Sequence, residues 1–431
     1  MIENRNMDKS KNLQFCKYGS IPKEWECLQL KEVTSKITNG LTYDSNLTHG
    51  LPITRIETIS DGIINFEKAG TISKDEAKEE FLLKSGDILY SHINSVTQLG
   101  KTAIFRDKRP IYHGMNLLLI RANDKIISDY LYYFLNSSAA RKQAYSYAKR
   151  AVNQASISTS DLKKFEVFVP NKVEQLKIAK ILLHFDKAIT KYSELHCQSI
   201  KRKTGLEQQL LSGRLRHEEF VTSKEKVKTK IGNLPKDWEL KHISDITQRV
   251  KKSITPEPET LYREIGIRSH CKGIFHKEEV SGASLGNKSV FWIQPDCFVV
   301  NIVFAWEHAI AKTTEAEVGM IASHRFPMYK PKKGVLDLDF LLYYFKTARG
   351  KHLLGLASPG GAGRNKTLGQ GEFAKLKIPV PSLAEQKRIV AVLSEADREI
   401  ELLKQQIATL KEQKKGLMQK LLTGEIRVNV K

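Results

Sequence analysis

Near the end of the chain Leu393, Ala396, Ile400, Leu403, Ile407, Leu410, Leu417 and Leu421 recur at alternating steps of three and four, with Lys414 the one break. Such spacing lays one apolar stripe along one side of a helix, and a 3.5-residue period is the seam of a coiled coil. The same register moved back 211 positions gives Leu182, Phe185, Ile189, Tyr192, His196, Ser199, Leu206 and Leu210. His196 and Ser199 are polar where the later stripe has Ile407 and Leu410, so the two helices are not equivalent at their seams. Pro170 and Pro381 stand just before the stripes, and Gly213 and Gly424 just after, as helix start and stop signals should. The pattern predicts two long helices, over 170–213 and 381–424, each a rod of roughly 60 Å at 1.5 Å per residue.

The stretches outside these helices carry shorter apolar runs. Gly86 to Tyr90, Met115 to Ile120, Phe165 to Val169, Phe298 to Phe304 and Leu376 to Val380 read as strands, and Asp129 to Leu135 and Asp339 to Phe345 as short aromatic-rich helices. The chain therefore divides into a mixed α/β module over 1–169, a helix over 170–213, a second module over 214–380, a helix over 381–424 and a tail over 425–431.

The chain is also written twice. GSIPKEW, from Gly19 to Trp25, returns as GNLPKDW from Gly232 to Trp238, an offset of 213. At an offset of 211, Val169-Pro170 matches Val380-Pro381, Glu174-Gln175 matches Glu385-Gln386, and Asp186 matches Asp397. The register continues with Lys203 and Lys414, Leu210-Leu211 and Leu421-Leu422, and Gly213 and Gly424. Between the matched ends only fragments correspond, such as Leu131 to Phe134 with Leu342 to Phe345. Two similar supports carrying two dissimilar heads suit a protein that reads two different things at a fixed separation. The first helix carries the chain away from the first head, so the second can pack along it only by running back. The pair should be antiparallel, with an approximate two-fold axis.

Charge points to the partner. Seventy Lys and Arg against forty-eight Asp and Glu leave a formal charge of +22, which favours a polyanion, with nucleic acid foremost. No apolar run has the length of a signal peptide or a membrane span, so a soluble, cytoplasmic protein is expected. Five scattered cysteines without Cys-x-x-Cys spacing read as reduced thiols. The groups an enzyme acting on DNA would need are not in evidence. No GxxxxGK[ST] loop is present, Gly360-Gly361-Ala362-Gly363 lacks the following Lys-Ser/Thr, and no Asn/Asp-Pro-Pro-Tyr/Phe tetrapeptide or S-adenosylmethionine loop occurs. His270, His308 and His324 are not at zinc-ligand spacings, so neither a metal nor a cofactor is expected on this chain.

The module-opening Gly-x-Ile/Leu-Pro-Lys-x-Trp, the helix-opening Val-Pro...Glu-Gln and the helix-closing Leu-Leu-Ser/Thr-Gly, in this order and twice, resemble the specificity subunit of Type I restriction-modification systems over essentially the whole chain. The resemblance implies a non-catalytic subunit whose heads are target-recognition domains on double-stranded DNA. It also implies that the helices form an antiparallel spacer docking two methyltransferase subunits, and that restriction subunits join them. S-adenosylmethionine, ATP and Mg would then belong to those partners. A specificity subunit of a related Type II enzyme shares this layout. A stand-alone DNA-binding regulator, or a self-sufficient nuclease or methyltransferase, would be the reading from another class.

Polar residues in weakly patterned loops are the candidates for DNA contact. In the first head they are Arg55, His92, Asn94, Lys101, His113, Asn116, Arg150, Asn153 and Gln154. In the second they are Arg263, Arg268, His270, Lys272, Asn301, His308, His324, Arg325, Arg364, Asn365 and Lys366. Phosphate contacts should supply most of the affinity, with Arg to guanine and Asn or Gln to adenine as the bidentate base pairings. Because the heads differ, the half-sites should differ.

Overall fold

The computed structural model describes residues 2–3, 12–43, 47–59, 62–95, 98–152, 154–229, 232–360 and 366–429. In the first head, β1 (Glu26–Gln29) is followed by β2 (Thr34–Asn39), β3 (Ile88–Tyr90), β4 (Ile93–Asn94), β5 (Thr102–Ile104) and β6 (Leu118–Ala122). Helices α1 (Ser128–Leu135) and α2 (Ser138–Tyr147) come next, then β7 (Lys149–Ala151), β8 (Gln154–Ser156) and β9 (Glu166–Val169), and the long α3 (Lys172–Leu210). The central sheet is antiparallel in the order β5-β3-β6-β2. Its core holds Trp25, Tyr130, Phe134, Phe165 and Phe168, none more than 2% exposed.

The second head repeats this plan with β10 (Glu239–His242), β11 (Thr247–Val250), β12 (Leu261–Ile267), β13 (Ile274–Ser281), β14 (Phe298–Val300), β15 (Ile310–Lys312) and β16 (Met328–Pro331). It ends with α4 (Leu338–Lys346), α5 (Ala348–Leu356), β17 (Lys377–Val380) and the long α6 (Leu383–Leu422). Its sheet runs β15-β14-β16-β11, the order of the first head strand for strand, and β10 pairs with β17 as β1 pairs with β9. Phe298, Phe340, Phe345 and Phe373 are fully buried, with the Phe298 and Phe373 rings stacked at 6.1 Å. The heads differ outside this shared layer. The second carries a five-stranded sheet that includes the long β12–β13 hairpin, and the first has short strands and 3₁₀ turns between β2 and β3.

Each predicted strand run is found, with shifted ends. The run from Phe298 stops at Val300 rather than Phe304 because the Asn301 side chain accepts the Val303 N–H at 3.1 Å, turning the chain. The run from Met115 begins its pairing only at Leu118.

Two compact units are present: 1–193 with 405–431, and 194–404. Each contains a head, the first half of its own long helix and the last half of the other. Within the first unit Asp186 of α3 pairs with Lys414 of α6, and Glu174 with Arg427 beyond the helix end. Within the second, Lys203 pairs with Asp397 and Arg216 with Glu385. Later residues of one helix meet earlier residues of the other, so the pair is antiparallel in each unit, as the two-head argument requires.

The helices start where side chains can satisfy their free amides. Asn171 Oδ1 accepts the Glu174 N–H at 2.9 Å, and Ser382 Oγ accepts that of Glu385 at 3.2 Å. Past their ends Gly213 and Gly424 take positive φ of 68° and 72°. Leu182, Leu210, Leu393, Ala396 and Leu421 of the seam are buried; Phe185, Ile189, Tyr192, Leu206, Ile400, Leu403, Ile407, Leu410 and Leu417 are half-buried. His196 is half-buried and Ser199 buried, the latter donating to Glu399 at 2.8 Å.

Candidate nucleic-acid interface

In the second head three segments converge on the loop between β14 and β15. Asn301 and Ala309 close this loop, N to O, at 2.9 Å. The tip of the β12–β13 hairpin docks on it: His270 donates its N–H to Glu307 O at 2.8 Å, Cys271 to His308 O at 2.9 Å, and the Ser269 hydroxyl to the Glu307 carboxylate. The turn before β16 and the segment before Leu368 meet at Ile302, whose N–H donates to Arg325 O and whose carbonyl accepts from Leu368 N–H. Exposed Arg268, His270, Lys272, His324 and Arg325 thereby share one end of the head, with Lys366 Nζ 5.8 Å from the Trp306 ring.

The backbone under this cluster is strained. His270, Cys271 and His308 have φ near 60°, which costs a non-glycine residue about 1–2 kcal/mol. The tight tip turns Arg268 back along the hairpin, where its guanidinium lies 4.8 Å from the Phe275 ring centre. Such strain persists only where surrounding contacts hold it. His308 is buried, and burial followed by the charges of Lys351 and His270 pushes its imidazole pKa down to about 4. It is a neutral residue beneath a cationic surface.

The first head hangs its candidates on the same loop, between β3 and β5. Ser91 and Lys101 are joined N to O at 2.8 Å, and Asn94 Nδ2 donates to Ser91 Oγ at 3.1 Å. Within that loop β4 pairs with β8, and β8 with β7, so Asn94, Arg150 and Gln154 come together on one small sheet. Arg150 and Gln154 are exposed, as is Val152 at 92%. Ile157 donates its N–H to His92 O, as Leu368 does to Ile302 O in the second head. Half-buried Asn116 lies just before β6, at the end of the sheet from which this loop leaves.

Several candidates sit elsewhere. His113 is fully buried with Nε2 2.9 Å from Leu117 O, its pKa driven down to about 4 by burial, so it is a core residue and not a surface reader. Asn301 and His92 belong to the two loops but are buried. Burial lowers the His92 pKa. Arg55 gives Nε and Nη2 to Lys68 O at 3.4 Å, and Arg263 pairs with Glu279 at 2.9 Å away from the hairpin tip. Asn153, Arg364 and Asn365 lie outside the described residues.

The polar residues repeated in both halves join each head to the long helices. Glu174 is 1% exposed, accepts from Trp25 Nε1 at 3.2 Å and forms a bidentate pair with Arg427 at 2.6 and 2.9 Å. Glu385 does the same with Trp238 at 3.1 Å and Arg216 at 2.7 and 2.9 Å. The motifs therefore meet crosswise. A Cβ on Gly424 would lie 2.5 Å from Pro22, and one on Gly213 would lie 2.6 Å from Pro235, so each module-opening Pro and Trp packs on the glycine closing the other repeat's helix. Gln175 bridges Ile127 N–H and Pro170 O, and Gln386 bridges Asp337 N–H and Pro381 O. The signal was available in the sequence: these are among the polar positions identical in both repeats.

Among the described residues no three or more His, Cys, Asp or Glu side chains are grouped to hold a metal, and no helix is long and apolar enough to cross a membrane. Two heads of one topology, each gathering polar and basic side chains on the same loop, define a two-headed nucleic-acid reader. The sequence profile of the Type I restriction modification DNA specificity domain matches residues 22–196 and 235–412, and the chain belongs to that family. A putative type I restriction enzyme MjaX specificity subunit of Methanocaldococcus jannaschii is 33% identical, over 97% of this chain and 98% of that protein. The MjaVIII specificity subunit of the same organism is 25% identical over 95% and 94%. In fold the chain is similar to a Type I system S subunit from M. genitalium, with TM-score 0.55, 14% identity and coverage of 96% and 98%. It is also similar to a chain from a structure of type I system assembly, with TM-score 0.54, 16% identity and coverage of 94% and 99%.

Proposed function

We propose that this specificity subunit reads an asymmetric, two-part duplex target, one half-site per head, through the loops between β3 and β5 and between β14 and β15. The supporting observation is one sheet topology used twice with different side chains on the corresponding loop. Backbone phosphates meet Arg and Lys at the rims, and the small β4-β8-β7 sheet and the β12–β13 tip enter the grooves. The helices dock two methyltransferase subunits, and restriction subunits complete the assembly. S-adenosylmethionine, ATP and Mg act on those partners, and the complex works in the cytoplasm.

Replacing residues 19–169 with the corresponding module of another family member, and mapping adenine methylation by the assembled complex, tests this. One half-site should change and the other remain. Simultaneous change of both would refute one head per half-site.

A further inference from the structure

Each head is fastened to the helices at two stations. The inner one is the Trp–Glu–Arg cluster at Glu174 or Glu385. Twelve residues further along the same helix, about 18 Å at 1.5 Å per residue, stands the outer one. There Tyr133 of α1 donates its hydroxyl to Asp186 Oδ2 at 2.6 Å, and Lys414 from the opposite helix reaches Asp186 Oδ1 at 2.6 Å. The Lys414 ammonium also lies 5.2 Å from the Tyr133 ring centre. In the second unit Tyr343 of α4 donates to Asp397 Oδ2 at 2.7 Å, Lys203 reaches Asp397 Oδ1 at 2.6 Å, and Lys203 lies 5.6 Å from the Tyr343 ring.

Each triad draws on three elements: a helix of the head, the head's own long helix and the returning long helix. Tyr133 and Tyr343 are buried, at 1% and 8% exposed, and their rings meet Lys414 and Lys203, which stand at seam positions; Lys414 interrupts an otherwise apolar stripe, and Lys203 one that also carries His196 and Ser199. A lysine at a seam position weakens the coiled coil unless it serves a specific pairing, and the chain keeps one in each helix at matching positions. One attachment point leaves a head free to pivot; a second, about 18 Å away, fixes its tilt, since 1 Å of play there corresponds to only about 3°.

We infer that the Tyr133–Asp186–Lys414 and Tyr343–Asp397–Lys203 triads are positioning residues that set the tilt of each head on the helix pair, and through it the gap the protein accepts between half-sites. They touch no DNA themselves. The inference rests on the two-part target proposed above.

The experiment uses full-length chain assembled with its methyltransferase partner, and duplexes carrying both half-sites with the gap varied by one base pair either way. Tyr133→Phe, Tyr343→Phe and the double variant keep the rings and remove the hydroxyls; Lys414→Gln approaches the first triad from the other helix. Methylation rate on the preferred gap divided by that on the neighbouring gaps should fall at least threefold in each single variant and further in the double, with base preference within each half-site unchanged. An unchanged ratio, or a rate lowered equally on all gaps, overturns the inference, because a merely structural role predicts that uniform loss. Thermal melting identifies any variant that is simply unfolded, and Lys414→Gln then decides. A wild-type complex indifferent to gap would instead refute the two-part reading.

Discussion

At the scale of single residues two costly groups are the buried glutamates that open the long helices. Glu174 and Glu385 are 1% and 3% exposed, and each is neutralised by one bidentate arginine. Their partners are not equally protected: the Arg216 side chain is 7% exposed and that of Arg427 is 41%. Removing one member of a buried ion pair costs about 3–5 kcal/mol, because the remaining charge is stranded. Arg216→Ala should lose that much in urea denaturation, and Arg427→Ala clearly less, since water reaches Glu174 through the space vacated. Arg216→Ala with Glu385→Gln should recover part of the loss, because a neutral Gln still accepts from Trp238 while Asp237, which also pairs with Arg216 at 2.7 Å, stays without it. Equal losses in the two single variants would contradict the different burial of the two clusters. The repeat marks both glutamates and both tryptophans in the sequence. It marks the arginines too, since the offset of 211 carries Arg216 onto Arg427, but it does not show that each reaches a glutamate 169 or 253 positions away.

At the scale of elements each compact unit holds one lock between the antiparallel helices, and the ruler expected of such a pair can be tested through them. Asp186–Lys414 lies in one unit and Lys203–Asp397 in the other. Four residues added to a single helix would therefore pull one lock out of register. Four added to both, after Ser193 and after Lys404, keep both locks and nearly preserve seam phase, at about 6 Å of extra length. The gap preferred in the methylation pattern should then lengthen by about two base pairs, at 3.4 Å each, with both half-sites retained. Insertion in one helix alone should lower stability without giving a clean new gap. An unchanged gap in the double insertion rejects the ruler. Helix periodicity made these elements legible to within a few residues, while the strand ends were not, because a side-chain turn such as that of Asn301 stops a strand that hydrophobicity would extend.

At the scale of the whole molecule the crosswise packing of motifs means that either half leaves an apolar seam and an unfilled glutamate cluster. A fragment of residues 224–431 retains one head and all of α6 but lacks Arg216 and α3. Two copies can complete each other: the Leu421-Leu422-Thr423-Gly424 end and Arg427 of one copy match the places that Leu210 to Gly213 and Arg216 fill on Trp238 and Glu385. That fragment should sediment as an antiparallel dimer and, with the methyltransferase, recognise an inverted repeat of the second half-site. The first-half fragment should associate more weakly, because His196 and Ser199 stand where Ile407 and Leu410 do, at about 1 kcal/mol or more per lost apolar contact. A monomeric 224–431 fragment would show that the seam does not drive the pairing. By itself the sequence determined the duplicated plan, the helices and their seam, and a polyanion as the class of partner, since identity at fixed offset, period and net charge are properties of the linear chain. Only the tertiary structure decided which loop residues share a surface. It took His113 into the core, tied Arg55 and Arg263 to other partners, and gathered Arg268, His270, Lys272, Arg325 and Lys366 from segments up to about a hundred positions apart. The physical reason is that a loop's place is set by backbone hydrogen bonds to other loops, such as His270 to Glu307 and Leu368 to Ile302, and such bonds leave no trace in side-chain pattern.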